Sequence, residues 1–516
     1  LKTISGNANN EAVTLSIAKV DTEAGTNTAK YELTAQTADG TDVFTESAGL
    51  IEVSVPAPSG VSEGNVFVYY LGPNGAEDMD AQVVEGNVVW KVNHFSTYLV
   101  TATEQGISVT DGEGNTKTYT DLQTAINEAE AGSTIRLMSN VTVTAPTQPN
   151  TGAITINKNI TLDGNGNKII ADSGFAATGE GKWDANYGKF HVINVTSDAT
   201  IEYLIVDGGW AGESETSASE DYNAARTGIN IWNTDANKIE VNLNGVKVNN
   251  CSVYAVTAKG ADLTISNMET SGNNWGVNVE DNSTVSIVNS NISEDIVYES
   301  SSANSSLSID DGVYGTVKTQ GTDTVGTVQV ENATVNTVEN GSELSDGVMF
   351  SVVNSTVTGT APDADDKIVM VGCEDESGNA LTDVAAGNVV LVDGTAYKTW
   401  DEAVSNIVAG SEVSLLADLE TETAISLPAN VTFDGRDHSI KATVDVANGG
   451  LFNITTDNVT IKNTTIVTNG HLKYGVQFYA NNGCTLEDVT INGGYYSAVL
   501  VNGATCLTIK GCDLNA

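Results

Sequence analysis

Tyr119–Leu137, YTDLQTAINEAEAGSTIRL, followed by Ile154–Ile169, ITINKNITLDGNGNKI, decides the reading of this chain, because the same pattern returns about 280 residues later. The second copy is Tyr397–Leu416, YKTWDEAVSNIVAGSEVSLL, followed by Ile425–Ile440, ISLPANVTFDGRDHSI. Each copy reads as a short amphipathic helix, then strands, then a Gly/Asn/Asp turn and a further strand. In the first, Leu122, Ala125, Ile126 and Ala129 form one apolar stripe at helical spacing, with Thr120 and Gln123 as a capping box. In the second, Trp400, Ala403, Val404 and Ile407 repeat the stripe, and Thr399 and Glu402 repeat the box. So narrow a stripe suits a helix that seals the open edge of a sheet, which would otherwise template aggregation.

Working outward, the chain is periodic. NKIEV (Asn237–Val241), ADLTI (Ala261–Ile265), STVSI (Ser283–Ile287) and SSLSI (Ser305–Ile309) recur at spacings of 24, 22 and 22 residues. After the second helix, NVTIKNTTI (Asn458–Ile466), GCTLEDVTI (Gly483–Ile491) and CLTIKGCDL (Cys506–Leu514) recur at about 25 and 23. Two or three short strands per repeat, separated by Asn/Gly turns, make one rung of a right-handed parallel β-helix. Ile, Val and Leu then face inward, and Asn and Thr sit at corners or outside. The fold class expected is all-β: two parallel β-helix coils, each started by a short capping α-helix. A continuing coil needs no new edge cover, so the second helix marks a second coil. The domain expectation is a β-sandwich at 1–103, a first coil with its closing connector at 107–390, and a second coil at 391–516 that is truncated. Residues 355–390 read as the closure and connector, and the chain as a piece of a longer secreted or wall-attached protein.

Period, cap and turn together resemble the pectin-lyase-like β-helix family over 107–355 and 397–516. The resemblance implies the fold and little about activity, since that fold serves lyases, hydrolases, phage spikes and adhesins. Residues 1–103 carry alternating runs such as KYELTAQTA, LIEVSVPAP and NVVWKV, which read as an antiparallel β-sandwich. VSVP (Val53–Pro56), Tyr69–Tyr70 and HFSTY (His94–Tyr98) resemble a small β-domain of Gram-positive surface proteins. That resemblance implies a spacer module without catalysis, with His94 as a hydrogen-bonded lock on the last strand.

Composition narrows the function. A formal net charge of −45 over 516 residues repels phosphate backbones and anionic membranes, which argues against a nucleic-acid partner. No run approaches the ~18 apolar residues of a membrane span, so no membrane insertion is expected in this chain. Cys251, Cys373, Cys484, Cys506 and Cys512 show no paired framework and no CxxC, and most of them read as small buried residues within rungs.

The catalytic motifs of polygalacturonase-like members find only superficial matches. Asn233-Thr234-Asp235 and Asp310-Asp311 lie three rungs apart, roughly 14 Å at the sheet spacing, whereas cooperating carboxylates sit roughly 5–9.5 Å apart. Gly470-His471 belongs to the other coil. Arg136 and Arg436 read as structural. Glu240 with Asp262, Glu269 with Glu294, and Asp488 with Asp513 are acids about one rung apart, where a Ca²⁺ ion is possible as a stabilising clip. No catalytic residue, metal site or other cofactor is assigned.

One stretch breaks the rhythm. Residues 183–232 hold Trp183, Tyr187, Trp210, Tyr222, Arg226 and Trp232, with Trp275 as a spatial neighbour, around the insertion GGWAGESETSASEDYNAARTG. Aromatic faces suit sugar rings and protein hot spots, and Glu213, Glu215, Glu220 and Asp221 are acids within reach of such a site. The function expected is a non-catalytic extracellular stalk or adhesin on a bacterial cell surface, presenting loops to a host glycan or host protein. The alternatives are a carbohydrate-active β-helix enzyme, either glycosidase or lyase, and an immunoglobulin-type host-protein binder.

Overall fold

In the computed structural model, the chain is nearly all β and forms a parallel β-solenoid of about 12 turns. The structure describes residues 13–21, 28–37, 51–58, 61–62, 66–72, 75–79, 81–92, 95–101, 106–119, 121–146, 151–172, 175, 190–210, 227–321, 323–341, 348–362, 364–443, 449–468, 470 and 472–515. Two compact units result. One comprises Leu1–Asn233, Ile239–Thr257 and Met268–Asn274; the other comprises Thr234–Lys238, Ala258–Asn267 and Trp275–Ala516.

The first unit opens with two antiparallel sheets. Tyr31, Leu33, Val53, Val55, Val88, Trp90, Val92 and Tyr98 from both sheets bury a common core. This is the sandwich expected from the alternating runs; Tyr98 of the HFSTY stretch is fully buried against Trp90, with ring centroids 5.8 Å apart. His94 lies outside the described residues.

The solenoid of this unit begins with a hairpin. Ile107–Thr110 pairs antiparallel with both Thr116–Tyr119 and Thr134–Leu137. From Thr134 onward the pairing is parallel, and Ile135, Leu162, Ile201 and Leu243 stack in register as an inward column with almost no exposure. Each such side chain contributes about 1.5–3 kcal/mol by burial. Helix α1 (Leu122–Glu128) buries Leu122, Ala125 and Ile126 as the stripe requires. Its cap is shifted by one residue from the sequence reading. Asp121, not Thr120, caps the helix by accepting from the Thr124 N–H at 2.7 Å, and Thr120 lies outside the described residues. The Gln123 side chain is engaged elsewhere. Its amide accepts from Thr155 N at 2.6 Å and donates to Thr155 O at 3.1 Å. It therefore completes the backbone edge of the strand Thr151–Ile156 as a neighbouring strand would.

The second unit repeats the plan. Leu263, Val285, Leu307, Val328, Phe350 and Ile368 form one inward column in register. Rungs continue through Glu374–Asp375, so part of the stretch read as a connector is still solenoid. A second hairpin, Val390–Val392 with Thr395–Tyr397, then pairs antiparallel with Glu412–Leu415, and parallel pairing resumes at Thr432. Helix α2 (Trp400–Val404) has the full capping box, Glu402 N to Thr399 Oγ1 at 3.3 Å and Thr399 N to Glu402 Oε2 at 3.1 Å. Trp400, Ala403 and Ile407 are buried, but Val404 is exposed because the helix ends there, after little more than one turn.

The turn shared by the two copies shows why its glycine is required. A Cβ on Gly164 would meet Leu204 Cα at 2.3 Å, and one on Gly435 would meet Thr464 Cβ at 2.3 Å. The next rung passes directly over the Asp-Gly turn in both coils. Asn residues 250, 267, 289, 332, 354 and 458 adopt positive φ at the corners, as the Asn-rich turns imply. Cys251, Cys373 and Cys484 are buried rung residues, in line with the expectation for most of the five; Cys512 is partly exposed, and Cys506 is exposed in a positive-φ turn.

Candidate functional site

Parallel stacking lines up the residues that close successive strands of one face. In the second unit these are Lys259, ending Tyr254–Lys259; Glu280, following Trp275–Val279; Glu299, following Ile296–Tyr298; and Gln320, following Ser306–Thr319. Backbone bonds keep them in step: Glu280 N to Ala258 O at 2.8 Å, Glu299 N to Val279 O at 2.9 Å, and Gln320 N to Tyr298 O at 2.9 Å. Each step is about 4.8 Å.

Within this row, Asn278 joins the two carboxylates. It is 1% exposed, and its Nδ2 donates to Glu299 Oε1 at 3.0 Å and Glu280 Oε1 at 3.3 Å. Sharing one nitrogen limits the separation of these two carboxyl oxygens to at most about 6 Å, the short-range regime of paired carboxylates in glycoside-cleaving sites. Burial pushes the Glu280 carboxyl above the usual range, with Glu299 adding to the rise and the Lys259 ammonium, 3.3 Å away, opposing it. Gln320 Nε2 donates to Glu299 Oε2 at 3.4 Å.

Beside the row, Asp281 anchors the loop after Glu299. Burial works against its charge, but the Ser301 N–H at 2.7 Å, the Ser301 and Ser300 hydroxyls and Lys259 prevail and hold it below the usual range. One carboxyl is thus disposed to hold a proton, while a charged neighbour fixes the surrounding loop.

Other acids have structural partners. Arg136 Nε lies 3.3 Å from Asp163 Oδ2, and Arg136 Nη2 donates to Asn165 Oδ1 at 2.8 Å. Burial and Asp163 raise the Glu202 carboxyl in the same stack. The second coil places Asp434 in the matching Asp-Gly turn, bonded to Arg436 N and to Lys462, so this acid belongs to turn construction in both copies. Arg436 pairs with Asp383, which makes it structural as read. Asp262 pairs with Lys238, and Glu269 with Lys247. Asp513 sits in register with Thr490, not Asp488, so that expected acid pair does not form. Among the described residues, no group of three or more His, Cys, Asp or Glu is placed to hold a metal ion.

The aromatic patch read from the sequence is only partly described. Trp183, Tyr187, Tyr222 and Arg226 lie outside the described residues, as do Glu213, Glu215, Glu220 and Asp221. Trp210 follows the strand Ile205–Asp207 and is tied through its N–H to Asn250 O at 2.8 Å. Trp232 ends Thr227–Trp232 with 37% exposure, and Trp275, in the other unit, begins Trp275–Val279.

No protein-family model matches this chain. No curated protein sequence matches it either. Among solved structures it is similar to the catalytic unit of a GH87 alpha-1,3-glucanase from Streptomyces thermodiastaticus strain HF3-3, at 11% identity and TM-score 0.21, over 98% of this chain and 95% of that one. It is also similar to the catalytic domain of a GH87 alpha-1,3-glucanase in complex with tetrasaccharides, at 11% identity and TM-score 0.22, over 98% and 95% of the two chains. A third, in complex with nigerose, has 11% identity and TM-score 0.20, over 96% and 94%. At such scores these likenesses identify no shared site.

Sequence reasoning missed the Glu280–Glu299 pair. The signal was present: in WGVNVE and IVYE a glutamate directly follows an apolar strand. The two are 19 residues apart, shorter than the period used to search for stacked acids.

Proposed function

We propose that this chain is a carbohydrate-active β-helix protein whose Lys259–Gln320 row receives a glycan and whose Glu280 and Glu299 act on its glycosidic bond. The observation that carries the reading is the shared Asn278 amide, which brings the Glu280 and Glu299 carboxylates together in one row, with burial pushing the Glu280 carboxyl above its usual range. Glu280 donates its proton to the leaving oxygen. Glu299 acts from the other side, as nucleophile or as base toward water. Asn278 orients the two carboxyls from its buried position, and Lys259 and Gln320 flank them and supply donors to sugar hydroxyls. The net charge and the HFSTY-type sandwich fit an extracellular, surface-attached setting.

A second reading is favoured by the Lys259–Glu280 ion pair: the row grips a glycan without cleaving it, as a host-directed adhesin would. Incubating the chain with a panel of polysaccharides and measuring new reducing ends separates the two. Hydrolysis is expected to drop at least about a hundredfold in Glu280→Gln and in Glu299→Gln, and to decline on the alkaline side as Glu280 loses its proton. Binding with no product from the wild-type chain would refute catalysis and leave the adhesin.

A further inference from the structure

The second coil carries an aromatic surface that the Glu280 row does not involve. Tyr495 is 75% exposed and Tyr496 64%, the most exposed large side chains among the described hydrophobic residues. Their rings meet at 89° with centroids 5.0 Å apart, forming a corner with two walls. Tyr474 extends one wall, tilted 34° from Tyr496 at 6.3 Å, and Lys473 Nζ lies 5.7 Å from the centre of the Tyr496 ring.

The corner is held by backbone. Tyr495 N donates to Leu472 O at 2.8 Å and Tyr496 N to Lys473 O at 3.1 Å. Gly493 and Gly494 take φ of 102° and 130°, and a Cβ on Gly494 would meet Ser497 O at 2.3 Å. Only glycine permits this turn, and the turn directs two tyrosines outward where a rung would ordinarily place Asn or Thr.

Beside this corner, Gln477 and Tyr479 face outward, alternating with the fully buried Val476 and Phe478. Asn453 and Gln477 stand in register, followed by the pair Tyr479 and Asn502, with Tyr479 47% exposed. Open aromatic faces, amide donors and acceptors and a tyrosine–amide pair match one ligand chemistry. The C–H face of a pyranose stacks on a ring while its equatorial hydroxyls bond to amides and to the ammonium. A protein partner would require a wider apolar centre than these rings provide.

We propose that Tyr474, Tyr495 and Tyr496, with Gln477 and Asn453, form a glycan-binding platform on the second coil, a site separate from the Glu280 row and without catalytic groups. It would keep a polysaccharide attached while the first coil works on it, and it stands whether or not the first coil is an enzyme.

The test is affinity electrophoresis of the full chain through gels containing pyranose polysaccharides, followed by titration calorimetry on the retained hits. Tyr496→Ala should weaken binding about tenfold and Tyr495→Ala/Tyr496→Ala should weaken it further, leaving at most the retention given by the Glu280 row, while Tyr496→Phe, which keeps the ring face, should stay within about threefold of wild type. Glu280→Gln/Glu299→Gln should bind through the second coil as wild type does, so failure of the acid pair and failure of the platform give different results. Circular dichroism of each variant checks folding; the tyrosines are exposed, so no loss is expected. Undiminished binding by the folded double tyrosine variant would overturn the proposal, as would absence of retardation of the wild type by every pyranose polysaccharide.

Discussion

Replacing Gly435 by alanine tests the stacked-rung architecture most sharply. The new Cβ would sit 2.3 Å from Thr464 Cβ and 2.6 Å from Asn463 O, against a normal carbon–carbon contact of about 3.5–4.0 Å. The methyl has no side route, since Thr464 lies within the strand Thr460–Val467, which pairs with Thr485–Asn492 beyond it. Relief requires the turn to lift off the next rung. That sacrifices Gly435 N to Lys462 O, at 2.9 Å, and Asp437 N to Asn463 O, at 2.8 Å. At about 1 kcal/mol per lost bond and about 1–3 kcal/mol of overpacking, the cost is about 3–5 kcal/mol. Gly410 is the matched control: its φ is +91°, but nothing lies within 4 Å of an added Cβ. Its alanine variant bears only left-handed backbone strain, about 1–2 kcal/mol. Hydrogen exchange of peptides spanning residues 430–467, followed by mass spectrometry, reads the local opening free energy of this coil without assuming two-state unfolding of the chain. Gly435→Ala should lose about 1–4 kcal/mol more protection than Gly410→Ala. Equal losses would mean that the next rung does not cover the turn, and the argument from both Asp-Gly turns would fail.

Two further outcomes follow from burial. Burial raises the Glu331 carboxyl, as do Asp310, Glu412 and Asp393, with Gln329 opposing through a 3.1 Å bond. A raised folded-state pKa favours the protonated fold, so this contribution is complete below the unfolded pKa and is lost as pH rises through the folded value. Glu331→Gln should therefore match wild type near pH 4 and be more stable by about 0.5–1 kcal/mol at pH 7.5, measured by urea midpoints; equal stability at both pH values would contradict the burial. Cys506 is exposed whereas Cys251, Cys373 and Cys484 are buried, with burial pushing the Cys373 and Cys484 thiols up. Maleimide labelling of the native chain should reach Cys506 at least about a thousandfold faster than those three, which react only after opening; comparable rates would show that the rungs do not close over them.

The architecture was legible because two local codes agree. Apolar residues alternating at a period of 21–25, and Asn/Gly at the corners, leave few other ways to hide Ile265, Ile287 and Ile309, which do stack. Details that depend on the neighbouring rung were not legible. The cap of α1 slipped by one residue because the amide of Gln123, which could have made the box, is taken by Thr155, a residue 32 positions away. Val404 fits the stripe but lies past the last position that α2 can bury. The acid pair escaped because corner lengths vary, so residues one rung apart need not be one nominal period apart. The tyrosine corner escaped because attention falls on the long aromatic insertion, whereas Gly493-Gly494-Tyr495-Tyr496 looks in sequence like an ordinary tight turn.

Each solenoid segment begins with its own antiparallel hairpin and helix, and this bears on how the chain is made. Parallel rungs have no local nucleus: a strand must wait for a partner some twenty residues away, and an unpaired edge invites association with other chains. A hairpin needs only its own residues. As synthesis proceeds from the N-terminus, Ile107–Tyr119 and later Val390–Tyr397 emerge before the rungs that build on them. Every later strand then meets a finished template on arrival, and the growing chain exposes one free edge at a time. The repeated hairpin restarts that process at Val390 of a 516-residue chain, so an error in an early rung need not be inherited by the later ones.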